Sequence, residues 1–197
     1  MKLSRLAAAA FVTLGATTSS AFAHPGHHVP QSGLISGLLH PLHGWDHLLA
    51  MVAVGLLSAQ IGGRALWALP AIFVGSMLVG GVIGLSAWEI PTINYGIALS
   101  VILLGIAIAL NRPYRLAVLL FLVPLFGFVH GHPHGAEMPL VSSPALYAVG
   151  FVTATVMLHA AGVFLGLFAL NSTHGAVGLR WSGGAITAAG FWLALSP

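Results

Sequence analysis

The stretch HPLHGWDH, residues 40–47, places three histidines and an aspartate within eight positions. The whole chain has eleven histidines but only three acidic residues, so this concentration is unusual. In one continuous helix, at about 100° per residue, His40, His43 and His47 would lie within about 60° of one another, and Asp46 would widen that face to about 120°. Neutral imidazoles beside a carboxylate suit Ni²⁺, Co²⁺ or Zn²⁺. The stretch therefore predicts a metal-binding helix face, and the simpler alternative is a structural pair between Asp46 and one of its neighbouring histidines.

A second histidine-rich stretch, FVHGHPHGAE, occupies residues 128–137. If it is helical, His130, His134 and Glu137 share one face while His132 points elsewhere, which favours the first three as metal ligands. The stretch also contains residues that disfavour a long regular helix, namely Gly131, Pro133 and Gly135. We therefore expect a broken helix end or a partly re-entrant loop here, with a solvated loop that merely scavenges metal as the alternative.

The composition assigns the chain to a class. Hydrophobic residues make up 58% of the sequence and charged residues only 5%, and the mean hydropathy is +0.99. These values predict an all-α integral membrane protein in contact with the lipid bilayer. The six basic residues are scattered singly, so the sequence offers no basic surface for nucleic acid. Cysteine is absent, which excludes disulfides and thiolate metal sites.

The first 23 residues read as a cleavable signal peptide. Lys2 and Arg5 form a basic start, an apolar run follows, and Ala21 to Ala23 give a small-x-small cleavage site. The alternative is an uncleaved first transmembrane helix, but the apolar run is short for a span. Cleavage would expose His24 with a free amine, either as an external metal collector or as an inert tail.

Residues 24–197 are predicted to form a single domain of six transmembrane helices with short connections. The approximate spans are 34–59, 65–87, 92–110, 115–130, 144–170 and 179–196. Pro41 fits the first turn of a helix, so the first span is expected to begin near His40.

The distribution of charge predicts the orientation. With the mature N-terminus outside, every arginine beyond the signal region falls in or beside a cytoplasmic connection, as the positive-inside rule requires. Glu89 and Glu137 then lie on the external side, where they would attract cations. This orientation predicts that the mature N-terminus lies on the external side of the membrane.

Two further histidines are open to two interpretations each. His159, about midway along the fifth predicted span, is either a relay for metal or protons or a histidine bonded to a neighbouring helix. His174 lies in the last cytoplasmic connection and is either a release group or an ordinary solvated side chain.

These motifs resemble those of the HupE/UreJ membrane proteins. The family's His-x5-Asp-His motif is matched by His40, Asp46 and His47, and its Phe-His-Gly-x-Ala-His-Gly-x-Glu motif is approximated by FVHGHPHGAE. The second motif departs from the family through the inserted Val129 and through Pro133 in place of alanine. The family pattern also has an acid near Asn94, for which Glu89 is a candidate substitute. The signal peptide and six spans fit as well, so the likeness covers essentially the whole chain.

The resemblance implies a secondary permease, not an enzyme, that carries Ni²⁺ or in some members Co²⁺ for hydrogenase or urease maturation. The metal would be a transported substrate, with no permanently bound cofactor. No nucleotide-binding P-loop is present in the sequence, in agreement with transport that does not use ATP. Candidate protein partners are a second copy of the chain and an outer-membrane uptake protein. The alternatives are an intramembrane zinc metalloenzyme, in which three ligands hold the ion, and an external metal sensor or scaffold.

Overall fold

The computed structural model describes residues 33–86, 90–136 and 143–195. Every regular element in these ranges is a helix, which confirms the predicted all-α class. The helices are α1 (Gly33–His43), α2 (Trp45–Ile61), α3 (Ala65–Gly84), α4 (Ile93–Leu110), α5 (Leu116–Ala136), α6 (Pro144–Leu170) and α7 (Gly175–Leu195). The predicted signal peptide and His24 lie outside the described residues.

Several of these helices are long and apolar enough to cross a membrane. Four qualify alone, α3, α4, α5 and α6, and α1 with α2 makes a fifth if the two are one broken span. Large apolar side chains such as Phe121, Phe164 and Phe168 are exposed on the outside of the bundle, where lipid would cover them. The described part is therefore a multi-pass helical membrane protein. Since α7 carries Arg180 and several glycines and is not among these spans, the total of six stays a prediction.

The predicted first span, residues 34–59, is broken at Gly44. This residue has extended backbone angles, φ −105° and ψ 116°, and α1 meets α2 there at an angle of 82°. Pro41 lies in the last turn of α1 and does not begin a helix. The predictions of a helix starting near His40, and of one continuous face with three histidines, were therefore wrong. His40 and His43 belong to α1, whereas Asp46 and His47 begin α2.

The expected break in the second histidine stretch is also absent. Helix α5 continues through Gly131, Pro133 and Gly135 as far as Ala136. The glycines have a packing role, because a Cβ atom on Gly131 would collide with the carbonyl oxygen of Met77 in α3. From the other side, a Cβ atom on Gly80 would collide with the carbonyl oxygen of Phe128. The two backbones approach closely where the sequence predicts a break in the helix, as small residues permit in membranes.

The bundle is built from pairs of packed helices. Helix α3 packs most extensively on α5, α4 on α7, and α6 on both α1 and α2. Helix α2 also contacts α3 and α4, and its Met51, Val54 and Leu57 are fully or almost fully buried. This central position of α2 holds its first turn, with Asp46 and His47, against α5 and α6.

The connections with arginines meet at the end of the bundle away from His47. Gly62 and Gly63, both with positive φ, form the turn from α2 to α3, and Asn111 ends α4 in the left-handed region. Gln60 of α2 donates hydrogen bonds to the carbonyl oxygen of Ile108 and to Oδ1 of Asn111, both at 3.1 Å. These bonds join the ends of α2 and α4.

Candidate metal site

The structure brings the two histidine stretches together. The ring of His134 lies 4.7 Å from that of His40 and 4.3 Å from that of His47, measured between centroids. The ring of His130 lies 4.9 Å from that of His47. We call these four residues the histidine cluster. His40 comes from α1, His47 from α2, and the other two from α5. The break between α1 and α2 therefore lets His40 and His47 approach α5 from two different helices.

Asp46 fixes the ring of His47. Its Oδ1 lies 2.7 Å from Nδ1 of His47 and also accepts the backbone N–H of His47 at 2.8 Å. A carboxylate accepts hydrogen bonds, so Nδ1 carries the ring proton and Nε2 keeps a lone pair. Histidines that bind metal are commonly oriented by such a carboxylate partner. In this geometry Asp46 acts through His47.

A carbonyl oxygen orients His130 in the same way. Nδ1 of His130 lies 3.1 Å from the carbonyl oxygen of Phe126, one turn earlier in α5. The carbonyl can only accept, so Nε2 of this ring also has an available lone pair. Two histidines on different helices thus share one tautomer, with Nδ1 anchored and Nε2 available.

Several ring nitrogens of the cluster are buried without a hydrogen-bond partner. They are Nε2 of His47, Nε2 of His130, and both ring nitrogens of His134. His130 is fully buried, and His134 and His47 are only 5% and 8% exposed. A buried polar atom without a partner costs about 1–3 kcal/mol, so several in one place indicate a site that a ligand completes.

The cluster is not a preformed coordination sphere. Within the described ranges, no three His, Asp or Glu side chains are already arranged to hold a metal ion. The rings are nevertheless in contact, with centroid distances of 4.7, 4.9 and 4.3 Å. Aromatic residues of α6 cover one side of the cluster, since the ring of Phe151 lies 4.1 Å from His134 and that of Tyr147 lies 5.7 Å from His40. These rings enclose the cluster on the side of α6.

The remaining predicted ligands divide into two groups. His43 is exposed in the last turn of α1 and its ring lies outside the cluster. Glu137, and also Glu89, lie outside the described residues, so their contribution stays a prediction. Three other residues were considered in the sequence without being assigned a ligand role. His132 lies on another face of α5, with its ring 6.4 Å from that of Phe128, and Asn94 and His174 are exposed.

Sequence reasoning missed the role of Gly44. A Cβ atom at this position would lie 2.7 Å from Oδ1 of Asp46 and 3.1 Å from Nδ1 of His47. Glycine therefore leaves room for the Asp46 to His47 hydrogen bond. The signal in the sequence is the glycine itself, between His43 and Trp45 and directly before the Asp46–His47 pair.

The fold and the site together define a multi-pass helical membrane protein with a buried histidine cluster. The HupE / UreJ protein family matches residues 12–193. A relative, Protein HupE of Rhizobium leguminosarum bv. viciae, is 40% identical over 175 residues, which cover 89% of this chain and 90% of the relative. The chain belongs to the HupE/UreJ family, as its motifs predicted. No solved structure matches it.

Proposed function

We propose that this protein is a secondary transporter that moves Ni²⁺, or alternatively Co²⁺, inward across the bacterial inner membrane. The observation that carries this proposal is the set of buried, unpartnered imidazole nitrogens in the histidine cluster. Imidazole nitrogens with a nearby carboxylate are suitable ligands for both ions. Such a site binds either ion more weakly than a thiolate site would. The HupE/UreJ resemblance supports the same substrates and a role in hydrogenase or urease maturation.

The proposed topology follows the sequence. Residues 1–23 are removed as a signal peptide, and residues 24–197 form one domain of six spans with a periplasmic N-terminus. The histidine cluster then lies toward the periplasm, and the exposed arginines of the α2–α3 and α4–α5 connections lie toward the cytoplasm. The break between α1 and α2 is compatible with this arrangement, because non-helical backbone at membrane depth is typical of ion-binding transporters.

The proposed binding step begins on the periplasmic side. A hydrated cation is attracted by the acidic groups and exchanges water for nitrogens of His40 and His47, with Asp46 orienting His47. It then transfers to His130 and His134, with Glu137 as the predicted acidic ligand of this second motif. Because a transporter must bind firmly enough to select and weakly enough to release, a cluster that is not a preformed coordination sphere is suitable.

Metal uptake in cells without other nickel and cobalt transporters tests this proposal. The cells express the parent chain, Asp46→Asn, His47→Ala, or the control Gly178→Ala, at matched levels in the membrane; a Cβ atom at position 178 meets nothing within 4 Å. We expect accumulation of Ni²⁺ or Co²⁺ with the parent and the control, and a loss of about tenfold or more with the other two variants, since ligand and orienting residues each affect affinity on that scale. Unchanged accumulation in both Asp46→Asn and His47→Ala would defeat the proposed mechanism.

A further inference from the structure

Helix α1 separates its residue types into three arcs around its axis, at about 100° per residue. One arc, about 80° wide, contains the buried residues Gly33, Gly37 and Pro41. A second arc, about 60° wide, contains the polar residues Ser36, His40 and His43. The third arc is apolar, covers about 140°, and consists of Leu34, Ile35, Leu38, Leu39 and Leu42. The apolar arc lies opposite His40, so α1 is amphipathic.

The buried arc packs against the first turns of α6. A Cβ atom on Gly37 would collide with the carbonyl oxygen of Tyr147, and a Cβ atom on Gly150 would collide with the carbonyl oxygen of Leu34. Helix α2 meets α6 much further along, where a Cβ atom on Gly55 would collide with the carbonyl oxygen of His159. Helix α1 therefore lies beside the beginning of α6, and α2 lies beside its later part.

Helix α6 is longer than the hydrocarbon layer of a membrane. Its 27 residues extend about 40 Å, whereas the layer is about 30 Å thick. Exposed polar residues, Asn171, Ser172 and Thr173, follow its end and mark the membrane boundary there. The excess of about 10 Å then falls at the end where α1 packs. Trp45, 47% exposed beside the break between α1 and α2, is of the residue type enriched at such a boundary.

The direction of α1 also differs from that of a spanning helix. It meets α2 at 82°, and spanning helices tilt by about 20° on average, so α1 lies at about 60° or more from the membrane normal. Helix α2 alone, with 17 residues and a length of about 25 Å, covers most of the hydrocarbon layer. The chain therefore does not need α1 as the outer half of a span.

We propose that α1 lies in the boundary between lipid headgroups and acyl chains on the histidine side of the membrane, with its apolar arc bound to lipid. Ile35 and Leu42, near the middle of that arc, are 49% and 50% exposed. The opposite arc carries His40, whose ring lies 4.7 Å from that of His134. Lipid on one side and α6 on another then hold a helix that presents His40 to the histidine cluster. The proposal does not depend on transport, and the boundary is the external one in the topology proposed above.

Spin labels on single cysteines test the position of α1. Because the natural chain has no cysteine, Ile35→Cys and Leu42→Cys each give one label in the full-length protein, reconstituted in phosphatidylcholine vesicles. Relaxation by oxygen and by water-soluble chromium oxalate measures the depth of each label without added nickel. The two positions are separated by about 10 Å along the helix. We expect both labels within about 10 Å of the boundary, at depths that differ by about 5 Å or less.

Two control variants define the depth scale. Ala161→Cys, at an exposed position near the middle of the hydrocarbon layer, should place its label about 15 Å below the boundary. Ser172→Cys, in the exposed connection after α6, should place its label in water. Depths for Ile35→Cys and Leu42→Cys that differ by about 10 Å, or a depth equal to that of Ala161→Cys, would overturn the proposal, since α1 would then be part of a span.

Two other results would also overturn the proposal. Labels at both α1 positions as accessible to chromium oxalate as the Ser172→Cys label would mean that the apolar arc faces water. Spectral broadening by a second nearby label would mean that another copy of the chain covers the arc. The depth measurement needs no transported metal, so its outcome is separate from that of the uptake experiment. If the parent chain accumulates neither ion, the transport function is wrong while the position of α1 is still decided by the labels.

Discussion

Polar side chains at the two ends of the bundle differ in whether their nitrogen and oxygen atoms have hydrogen-bond partners. At the arginine-bearing end, polar groups donate to backbone carbonyl oxygens: Gln60 to Ile108, Arg180 to Ala109, and Tyr114 to Ala107. At the histidine end, Nδ1 atoms are anchored, but Nε2 of His47 and Nε2 of His130 are buried without partners. At the first end the donors of these side chains have partners, although Oε1 of Gln60 is buried without one. At the second end several imidazole nitrogens lack partners, which is the arrangement expected of a binding region.

Because of this difference, effects of substitutions on stability can be separated from their effects on transport. A hydrogen bond between side chain and backbone contributes about 1 kcal/mol to stability, and its loss should change unfolding more than transport. An unpartnered buried nitrogen costs stability until a ligand occupies it, so its loss should change transport more than unfolding. Substitutions at the two ends should therefore have opposite patterns of effect.

The largest effect on transport is expected for His47→Asn. Asparagine can still donate to Asp46 but lacks the Nε2 lone pair, so uptake should fall about tenfold or more while thermal unfolding in detergent changes little. The matched change at the other end, Gln60→Ala, removes two hydrogen bonds. It should lower the unfolding temperature and leave uptake near the parent value. The reverse pattern in the two variants would invalidate the comparison of the two ends.

External pH is expected to have the next largest effect. Imidazole binds metal only when neutral, so protonation competes with metal as the pH falls. His130 and His134 are buried, and burial disfavours the charged form, so they should stay neutral in buffers that protonate an exposed histidine. Initial uptake, measured with the internal pH monitored, should be maintained between about pH 7 and 5 and should fall only in more acidic buffer. A fall centred near about pH 6.5, where an exposed histidine titrates, would count against binding at the buried cluster.

A smaller effect is expected from Gly44→Ala. The added methyl group would crowd Oδ1 of Asp46 and Nδ1 of His47, and so would turn the His47 ring without removing it. Uptake should fall about threefold, less than after loss of a ligand. Gly178→Ala is the control, since a Cβ atom there meets nothing within 4 Å. Equal uptake by the two variants would show that the close approach at Gly44 does not position His47.

The smallest effect is expected from His43→Ala. The side chain is exposed and its ring lies outside the cluster, so uptake should change by less than about twofold. A loss as large as that of His47→Asn would mean that α1 and α2 rearrange during transport to bring His43 inward. Parallel uptake measurements on the two variants decide this.

The sequence predicted the helical membrane class, because hydropathy does not depend on packing. It also drew attention to the two histidine stretches, which the structure brings together, while their role as metal ligands stays a prediction. It failed at Gly44, where the argument from 100° per residue assumed one continuous helix. It also failed at Gly131, where a small residue that can end a helix instead allows α5 to approach α3. The contact between the rings of His159 and Phe73 could not be predicted either, because the two residues lie on helices that are distant in sequence.

The most direct test of the central claim is X-ray absorption spectroscopy of Ni²⁺ bound to the purified protein. Replacing His24, His27 and His28 with alanine removes competing ligands at the N-terminus. The account predicts scattering from at least two imidazole rings, reduced in a His47→Asn, His134→Ala double variant. A shell of oxygen ligands alone, unchanged by those substitutions, would contradict the claim that the histidine cluster binds the transported metal.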